Sequence, residues 1–347
     1  MFKKLKIIFL SAFVSIILGG FLYQFTETKI DEIKYPAPGE MVDVGGFNLH
    51  LQCMGEGLPS VILDAGLGYD SLDWSLVQPE IARFAQVCSY DRAGYGWSEK
   101  SHAPRTSKNI VEELHLLLIN AHILPPYILV GHSFGGINAR LYAATYPDEV
   151  AGIILVDACH EDQIKVLSPD LPENIIDEWS ENSLLRPMMT HLGVFRLLYH
   201  FPFFQQQFQN LPEKVQAIYL AQLSSSKYIE TVHKENIAFE ESLNQVKRAN
   251  TNLGATPLIV ITAAQPVTKE ECGCSQKMLD DITNKWNSLQ KDILTHSKNG
   301  KQYFAEKSSH MITHEQPEII VKAVYEMVQS LNLNKAPAVQ SKFSSIK

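Results

Sequence analysis

The sequence has few cysteines, and their spacing fits no common metal site. Only five of its 347 residues are cysteine, and none forms the paired CxxC units of zinc-binding modules. An odd number leaves at least one thiol unpaired within the chain. The default interpretation for most of them is that of small buried apolar side chains. The five are Cys53, Cys88, Cys159, Cys272 and Cys274. We expect neither a metal ion nor an organic cofactor.

The sequence also lacks an excess of positive charge and any internal repeat. Thirty basic residues against 38 acidic ones give a formal net charge of -8, which offers no general attraction to the phosphate backbone of nucleic acids. Nucleic acid is therefore not an expected partner. Glycine (19) and proline (17) are near ordinary usage and 45% of the residues are hydrophobic, which excludes a collagen-like or globally disordered chain. The length fits one large α/β unit as well as two domains.

An uncharged run near the N-terminus predicts a membrane anchor. Three lysines, at positions 3, 4 and 6, precede Ile7–Phe25, a run of 19 residues without a charge. As a helix this run reaches about 28 Å, close to the hydrocarbon thickness of a bilayer. The basic flank predicts a cytoplasmic N-terminus with the remaining chain outside, where disulfides are permitted. Residues 1–38 are thus predicted to form a cytoplasmic start, an anchor and a linker. A signal peptide, giving a secreted or periplasmic protein, is the alternative, although no small-residue cleavage site follows.

Beyond residue 38, strand-like runs alternate with helical periodicity. The runs lie at 47–53, 60–63, 86–90, 127–130, 152–156, 257–262 and 302–305, and the helical segments at 107–122, 135–146, 280–294 and 317–331. This alternation predicts an α/β fold, with a mostly parallel central sheet and helices on both faces.

The strand signal disappears between residues 161 and 252. Helical segments at 174–179, 188–200 and 214–223 are separated there by prolines, which end helices. We interpret this stretch as a helical cap inserted between the first part of the α/β domain, 39–160, and its second part, 253–333. The last residues, 334–347, mix Pro, Ser, Lys and Gln and are predicted to be disordered.

A serine between two glycines follows one of the buried runs. The segment Gly131–Gly135 reads Gly-x-Ser-x-Gly, which places Ser133 on a tight strand-to-helix turn with its hydroxyl exposed. Such a hydroxyl needs a base to act as a nucleophile at neutral pH. We predict His310, because it lies between the last strand-like run and the last helix. His314 is the rival base, and His132 is expected to orient the turn.

Four motifs in this order resemble the α/β-hydrolase superfamily over residues 39–331. They are Asp64–Gly68, Asp91–Ser98, Gly131–Gly136 and Ser309-His310 followed by Gln316–Glu318. The resemblance implies an oxyanion hole formed by the N–H groups of Leu67 and Phe134. It also implies that Arg92 makes buried ion pairs and does not contact substrate.

The acid of a serine-histidine-acid triad departs from the usual pattern of this superfamily. Its members commonly carry the acid after the strand equivalent to 257–262, but residues 263–268 contain no carboxylate. The other known location is the end of the preceding strand, where Asp157 terminates an apolar run. We predict that Asp157 orients His310, with Glu270 and Glu271 as alternative acids. A role for Asp157 in capping the turn is the other interpretation.

The type of nucleophile separates the reactions of this superfamily. Haloalkane dehalogenases and most epoxide hydrolases of this architecture use aspartate, whereas a serine forms an acyl-enzyme. We therefore predict a carboxylesterase-like serine hydrolase that cleaves an ester, thioester or amide bond of a small, partly apolar substrate. Aromatic residues at 195–208 either line an acyl pocket or pack against the core. The alternative is a non-catalytic binding or receptor protein on the same scaffold.

Overall fold

One open, mostly parallel sheet organises the fold. The computed structural model describes residues 2–167, 185–199, 201, 205, 208–249, 251–265, 273 and 275–335. Its strands are β1 Glu40–Asp43, β2 Asn48–Met54, β3 Ser60–Asp64, β4 Val87–Tyr90, β5 Tyr127–His132, β6 Val150–Val156, β7 Leu258–Ala263 and β8 Gly300–Ala305. They lie in the order β1-β2-β4-β3-β5-β6-β7-β8. The pairs β1–β2 and β2–β4 are antiparallel and the remaining pairs are parallel, which confirms the predicted fold class.

Helices pack on both faces of this sheet, and further helices form the N-terminal segment and the cap. Among the described residues they are α1 Phe2–Lys34, α2 Gln78–Ile81, α3 Ser107–Asn120, α4 Phe134–Thr145, α5 Gln163–Leu167, α6 Leu185–His191, α7 Val194–Leu198, α8 Glu213–Leu223, α9 Ser226–Arg248, α10 Gln276–Leu294, α11 Ile312–Glu315 and α12 Pro317–Lys335. Successive side chains of the central strands enter two different cores. Leu129 and Leu155 face one core, and Val130 and Val156 face the other. Because both faces are covered, these strands are apolar throughout.

The structure differs from the predicted elements mainly at an edge strand and in the cap. The segment 188–200 was predicted as one helix, but it divides into α6 and α7 at Gly193, which has φ +72°. Neither β1 nor α9 was singled out, because β1 has four residues and α9 is rich in charge. The predicted helix at 174–179 and residues 336–347 of the predicted tail lie outside the described residues.

The N-terminal helix extends beyond the predicted anchor and contacts the cap. It has 33 residues, and its composition and length are sufficient to cross a membrane. Its second half is fixed by polar contacts: Gln24 Nε2 donates to the Ser224 carbonyl at 2.8 Å, and Arg196 Nη1 lies 2.5 Å from Asp31 Oδ2. Directly after the helix, the Tyr35 carbonyl accepts a hydrogen bond from Nε1 of the partly buried Trp97 at 2.8 Å.

A disulfide joins two neighbouring strands. Cys53 on β2 and Cys88 on β4 are direct partners in the antiparallel register, with Cα atoms 4.1 Å apart, and they are bonded. The default interpretation as separate buried apolar side chains does not apply to this pair, although Cys88 itself is buried. Cys159 is buried as a free thiol, and Cys272 and Cys274 lie outside the described residues.

Removing this disulfide should lower thermal stability. The two cysteines are 35 residues apart, so losing the cross-link should cost about 2–4 kcal/mol of unfolding free energy. The thermal midpoint of the full chain in detergent, followed by circular dichroism, measures the effect. Reductant should lower the midpoint of the unsubstituted protein and leave that of Cys53→Ala/Cys88→Ala unchanged. An equal response of both proteins to reductant would contradict a stabilising disulfide.

Candidate active site

Ser133 lies on a strained turn between β5 and α4. Its backbone has φ +51° and ψ -116°, a combination that is uncommon and costly for a residue with a side chain. The flanking glycines allow it. A Cβ at Gly131 would collide with the carbonyl of Gly135, and one at Gly135 would collide with the carbonyl of Asp64. The predicted turn is therefore present, and the position of Ser133 depends on the close approach of three backbone segments.

Asp157 and His310 are brought together at the same edge of the sheet. His310 Nδ1 donates to Asp157 Oδ2 at 2.6 Å. The other oxygen of Asp157 accepts from the Ala263 amide at 2.9 Å and from Trp286 Nε1 at 2.8 Å. The Asp157 side chain is fully buried, whereas that of His310 is 33% exposed. The carboxylate is thus fixed by three donors, and the imidazole leaves part of its ring open.

Neighbouring contacts connect this pair to the serine turn. The amide of Cys159, two residues after Asp157, donates to the Ser133 carbonyl at 3.0 Å. His132 Nε2 donates to the backbone carbonyl of His310 at 3.0 Å, and the two imidazole centroids are 5.0 Å apart. The structure therefore gathers Ser133, His310 and Asp157, the three predicted residues, at one edge of the sheet. Glu270 and Glu271, the alternative acids, lie outside the described residues.

The predicted oxyanion loop, Asp64–Gly68, lies against the serine. An ideal Cβ built on Gly66 is 3.3 Å from Ser133 Cβ. Phe134 is the first residue of α4, so its N–H has no acceptor within the helix and adds to the positive end of the helix dipole. Leu67, the other predicted donor, is partly buried against the core.

Arg92 holds this loop and ties it to the cap. Its guanidinium donates to the carbonyls of Ala65 and Gly66, each at 2.7 Å, and to Asp64 Oδ1 at 2.8 Å. On the other side it pairs with Glu235 of α9, Nε to Oε1 at 2.9 Å. Arg92 and Glu235 are both buried. The predicted buried ion pairs of Arg92 are present, and they join the oxyanion loop to the longest described cap helix.

A second group of histidines around Asp73 was missed by the sequence analysis. His314 Nε2 lies 2.7 Å from Asp73 Oδ1, and His132 Nδ1 lies 3.3 Å from Oδ2. Thr313 also donates to Asp73 Oδ1 at 3.1 Å. Burial alone would raise the pKa of Asp73, but the two histidines hold that pKa well below its ordinary value. His314, the rival base, is thus buried against a different carboxylate, and the position of His132 fits its expected orienting role.

The described residues of the aromatic segment 195–208 differ in their surroundings. Phe208 is buried and stacks on Tyr219 with ring centroids 5.0 Å apart, which is packing within the cap. Leu197 and Phe201 are exposed, and residues 203 and 204 lie outside the described residues. Closer to Ser133, the cap contributes Phe239, whose ring is 5.8 Å from that of Phe134. In the described ranges no three His, Cys, Asp or Glu side chains are arranged to hold a metal ion.

Comparisons with known proteins agree with this architecture. Residues 59–186 match the family model described as alpha/beta hydrolase fold. The uncharacterized protein YqjL of Bacillus subtilis is 26% identical over 282 residues, 81% of this chain and 88% of its own length. A haloalkane dehalogenase from Agrobacterium tumefaciens has a TM-score of 0.63 at 18% identity, covering 85% of this chain and 98% of that chain. A thermophilic esterase from Thermogutta terrifontis has a TM-score of 0.53 at 18% identity, covering 84% and 98%. The two solved structures show the fold alone.

Cys159 should resist thiol reagents until the protein unfolds. Its Sγ lies 3.7 Å from Ser133 Oγ, and burial raises the pKa of this thiol to about 12. Because only the thiolate reacts, roughly one molecule in ten thousand is reactive at pH 8. Iodoacetamide labelling, read from the mass of the Cys159 peptide, should therefore be negligible at pH 8, accelerate about tenfold per pH unit, and become rapid in denaturant. Rapid labelling of the native protein at pH 8 would contradict this placement.

Proposed function

We propose that this chain, which has the α/β-hydrolase fold and matches its family model over residues 59–186, is a serine hydrolase that cleaves an ester-type bond of a small, partly apolar substrate. The observation that carries the proposal is the contact of 2.6 Å between the buried carboxylate of Asp157 and the part-exposed ring of His310, at the edge of the sheet that also presents Ser133. A histidine oriented by a carboxylate beside a turn-exposed serine is the arrangement that nucleophilic acyl transfer requires.

In the proposed mechanism Ser133 is the nucleophile, His310 transfers protons and Asp157 orients and stabilises His310. Ser133 Oγ attacks the carbonyl carbon while His310 Nε2 takes its proton, and Asp157 stabilises the imidazolium through the Nδ1 hydrogen bond. The N–H groups of Leu67 and Phe134 bind the oxyanion of the tetrahedral intermediate. His310 then protonates the leaving group, which departs and leaves an acyl-enzyme. A water molecule, deprotonated by His310, attacks the acyl carbon and releases the acid and free Ser133.

The residue at the turn favours acyl transfer over the alkyl-transfer reactions of this fold. An aspartate nucleophile attacks an alkyl carbon and forms an alkyl ester, whereas the serine hydroxyl of Ser133 forms an ester with a substrate acyl group. Two aromatic side chains of cap helix α9 lie near the oxyanion loop and the start of α4. Tyr228 Oη of α9 is 3.3 Å from an ideal Cβ on Gly68, and Phe239 packs on Phe134. These contacts support a substrate with an apolar part, of the ester, thioester or amide type.

We also propose that α1 is a retained membrane anchor with the catalytic domain outside the cytoplasm. Gln24 is buried against the cap, and Arg196 is paired with Asp31. A signal peptidase that cut after the apolar run would remove the first of these contacts. The Cys53–Cys88 disulfide supports an oxidising compartment. The length and composition of α1 are sufficient for a helix that crosses a membrane.

Labelling with a fluorophosphonate tests the nucleophile. The full chain should be labelled at Ser133, and Ser133→Ala should abolish labelling and lower hydrolysis of a short p-nitrophenyl ester by about 10⁴-fold or more. Ser330→Ala, which removes an exposed hydroxyl on α12, is the matched control and should leave both unchanged. A folded, unsubstituted chain that takes no label would instead favour a non-catalytic binding protein.

Replacement of the acid tests the second part of the mechanism. Asp157→Asn keeps an acceptor for Ala263 and Trp286 but places an amide against Nδ1 of His310, which disfavours the required tautomer. We expect kcat to fall about 10³–10⁴-fold, with a thermal midpoint close to that of the unsubstituted protein. Glu270→Gln and Glu271→Gln are the comparison variants and should remain active. Near-native turnover of Asp157→Asn would show that another group is the acid.

A further inference from the structure

Helix α1 is too long to end at the membrane surface. Its 33 residues reach about 50 Å, whereas the hydrocarbon core is about 30 Å thick. Nothing lies within 4 Å of an ideal Cβ on Gly19, but one on Gly20 lies 2.8 Å from the carbonyl of Leu192. The cap therefore first approaches α1 at the turn that contains Gly20, near the outer end of the uncharged run Ile7–Phe25.

The cap is attached to the emerging helix without a flexible linker. The Phe21 and His191 rings have centroids 6.2 Å apart, Gln24 donates to the Ser224 carbonyl, and Arg196 pairs with Asp31. These contacts cover about three turns of α1 and involve α6, α7 and the end of α8. A rigid attachment of this kind fixes the distance of the cap from the bilayer, so that the α6–α7 segment lies at the level where α1 leaves the hydrocarbon region.

The same segment exposes large apolar side chains. Met188 and Leu197 are each 54% exposed and Phe201 is 61% exposed. On α1, Leu22 and Phe25 are 67% and 65% exposed. Single exposed apolar residues are ordinary, but a group next to a spanning helix indicates a contact with lipid. We call residues 188–199 and 201 the cap edge.

We propose that the cap edge lies in the lipid–water interface of the bilayer that holds α1, as a second membrane contact. This inference rests on the proposed anchor and does not depend on the proposed hydrolase activity. Its partner is the acyl-chain boundary of the outer leaflet, which accepts Met188, Leu197 and Phe201.

Depth-dependent fluorescence quenching tests this contact. The full chain is reconstituted in phosphatidylcholine vesicles with or without bromine at acyl positions 6 and 7, and each variant is corrected for the quenching of the native tryptophans. Phe201→Trp should lose roughly half or more of its added fluorescence in the brominated vesicles, because interfacial side chains reach the upper acyl chain. Leu197→Trp is a second variant at the same edge. Phe304→Trp, at a site 50% exposed on β8, is the matched control and should lose almost none.

A fourth variant separates the cap edge from the anchor. Phe13→Trp lies within the predicted span and should be quenched strongly. If Phe13→Trp is quenched while Phe201→Trp and Leu197→Trp behave like Phe304→Trp, the cap edge does not contact lipid and the inference is wrong. If Phe13→Trp is not quenched, the anchor proposal fails and this inference fails with it. Quenching of Phe304→Trp as strong as that of the cap variants would also overturn a localised contact. Fluorophosphonate labelling of the same samples reports separately on the hydrolase proposal.

Discussion

The buried carboxylate of Asp157 is the interaction on which the candidate site depends. Its oxygens accept hydrogen bonds from Ala263 at the end of β7, from Trp286 on α10 and from His310 on the loop after β8. A buried carboxylate without partners would cost several kcal/mol, so the folded state is favoured only when all three elements have docked on β6. The same requirement fixes the ring of His310, since its Nδ1 must face Asp157. Packing of the second half of the α/β domain therefore also positions the proposed base.

Arg92 holds together the first half of the domain, as Asp157 does the second half. The loop Asp64–Gly68 has carbonyl groups that face inward, and the guanidinium satisfies two of them while it neutralises Asp64. The other edge of the same guanidinium pairs with Glu235, which comes from the cap, so one cation is shared by two buried carboxylates. Removing Arg92 would leave Asp64 and Glu235 buried without their cation, so the cap helix α9 and the oxyanion loop are energetically coupled. Through this coupling, displacement of the cap would disturb the loop beside Ser133.

The sequence was sufficient to predict those features that depend on residue types within a short segment. The glycines around Ser133 and the apolar runs of the parallel strands predicted the turn and the sheet, because close backbone approach and two-sided burial restrict residue types in short segments. The choice between Asp157 and a later glutamate stayed open, since it depends on which strand end faces His310. Asp73 gave no signal at all, because its partners His132 and His314 lie on distant segments that meet only after folding. The docking of α1 was missed for the same reason.

Two histidines at this edge each face a carboxylate, and their accessibility supports different roles. His314 is only 3% exposed and lies against Asp73. Its ring is therefore not accessible to accept a proton during the proposed reaction. His310 is 33% exposed while its acid is fully buried, which leaves one side of the ring available and the other oriented. His132 then connects the two groups, because it approaches Asp73 through Nδ1 and donates to the His310 carbonyl through Nε2. The Asp73 group therefore acts on the proposed reaction through the loop that carries His310, by fixing its backbone.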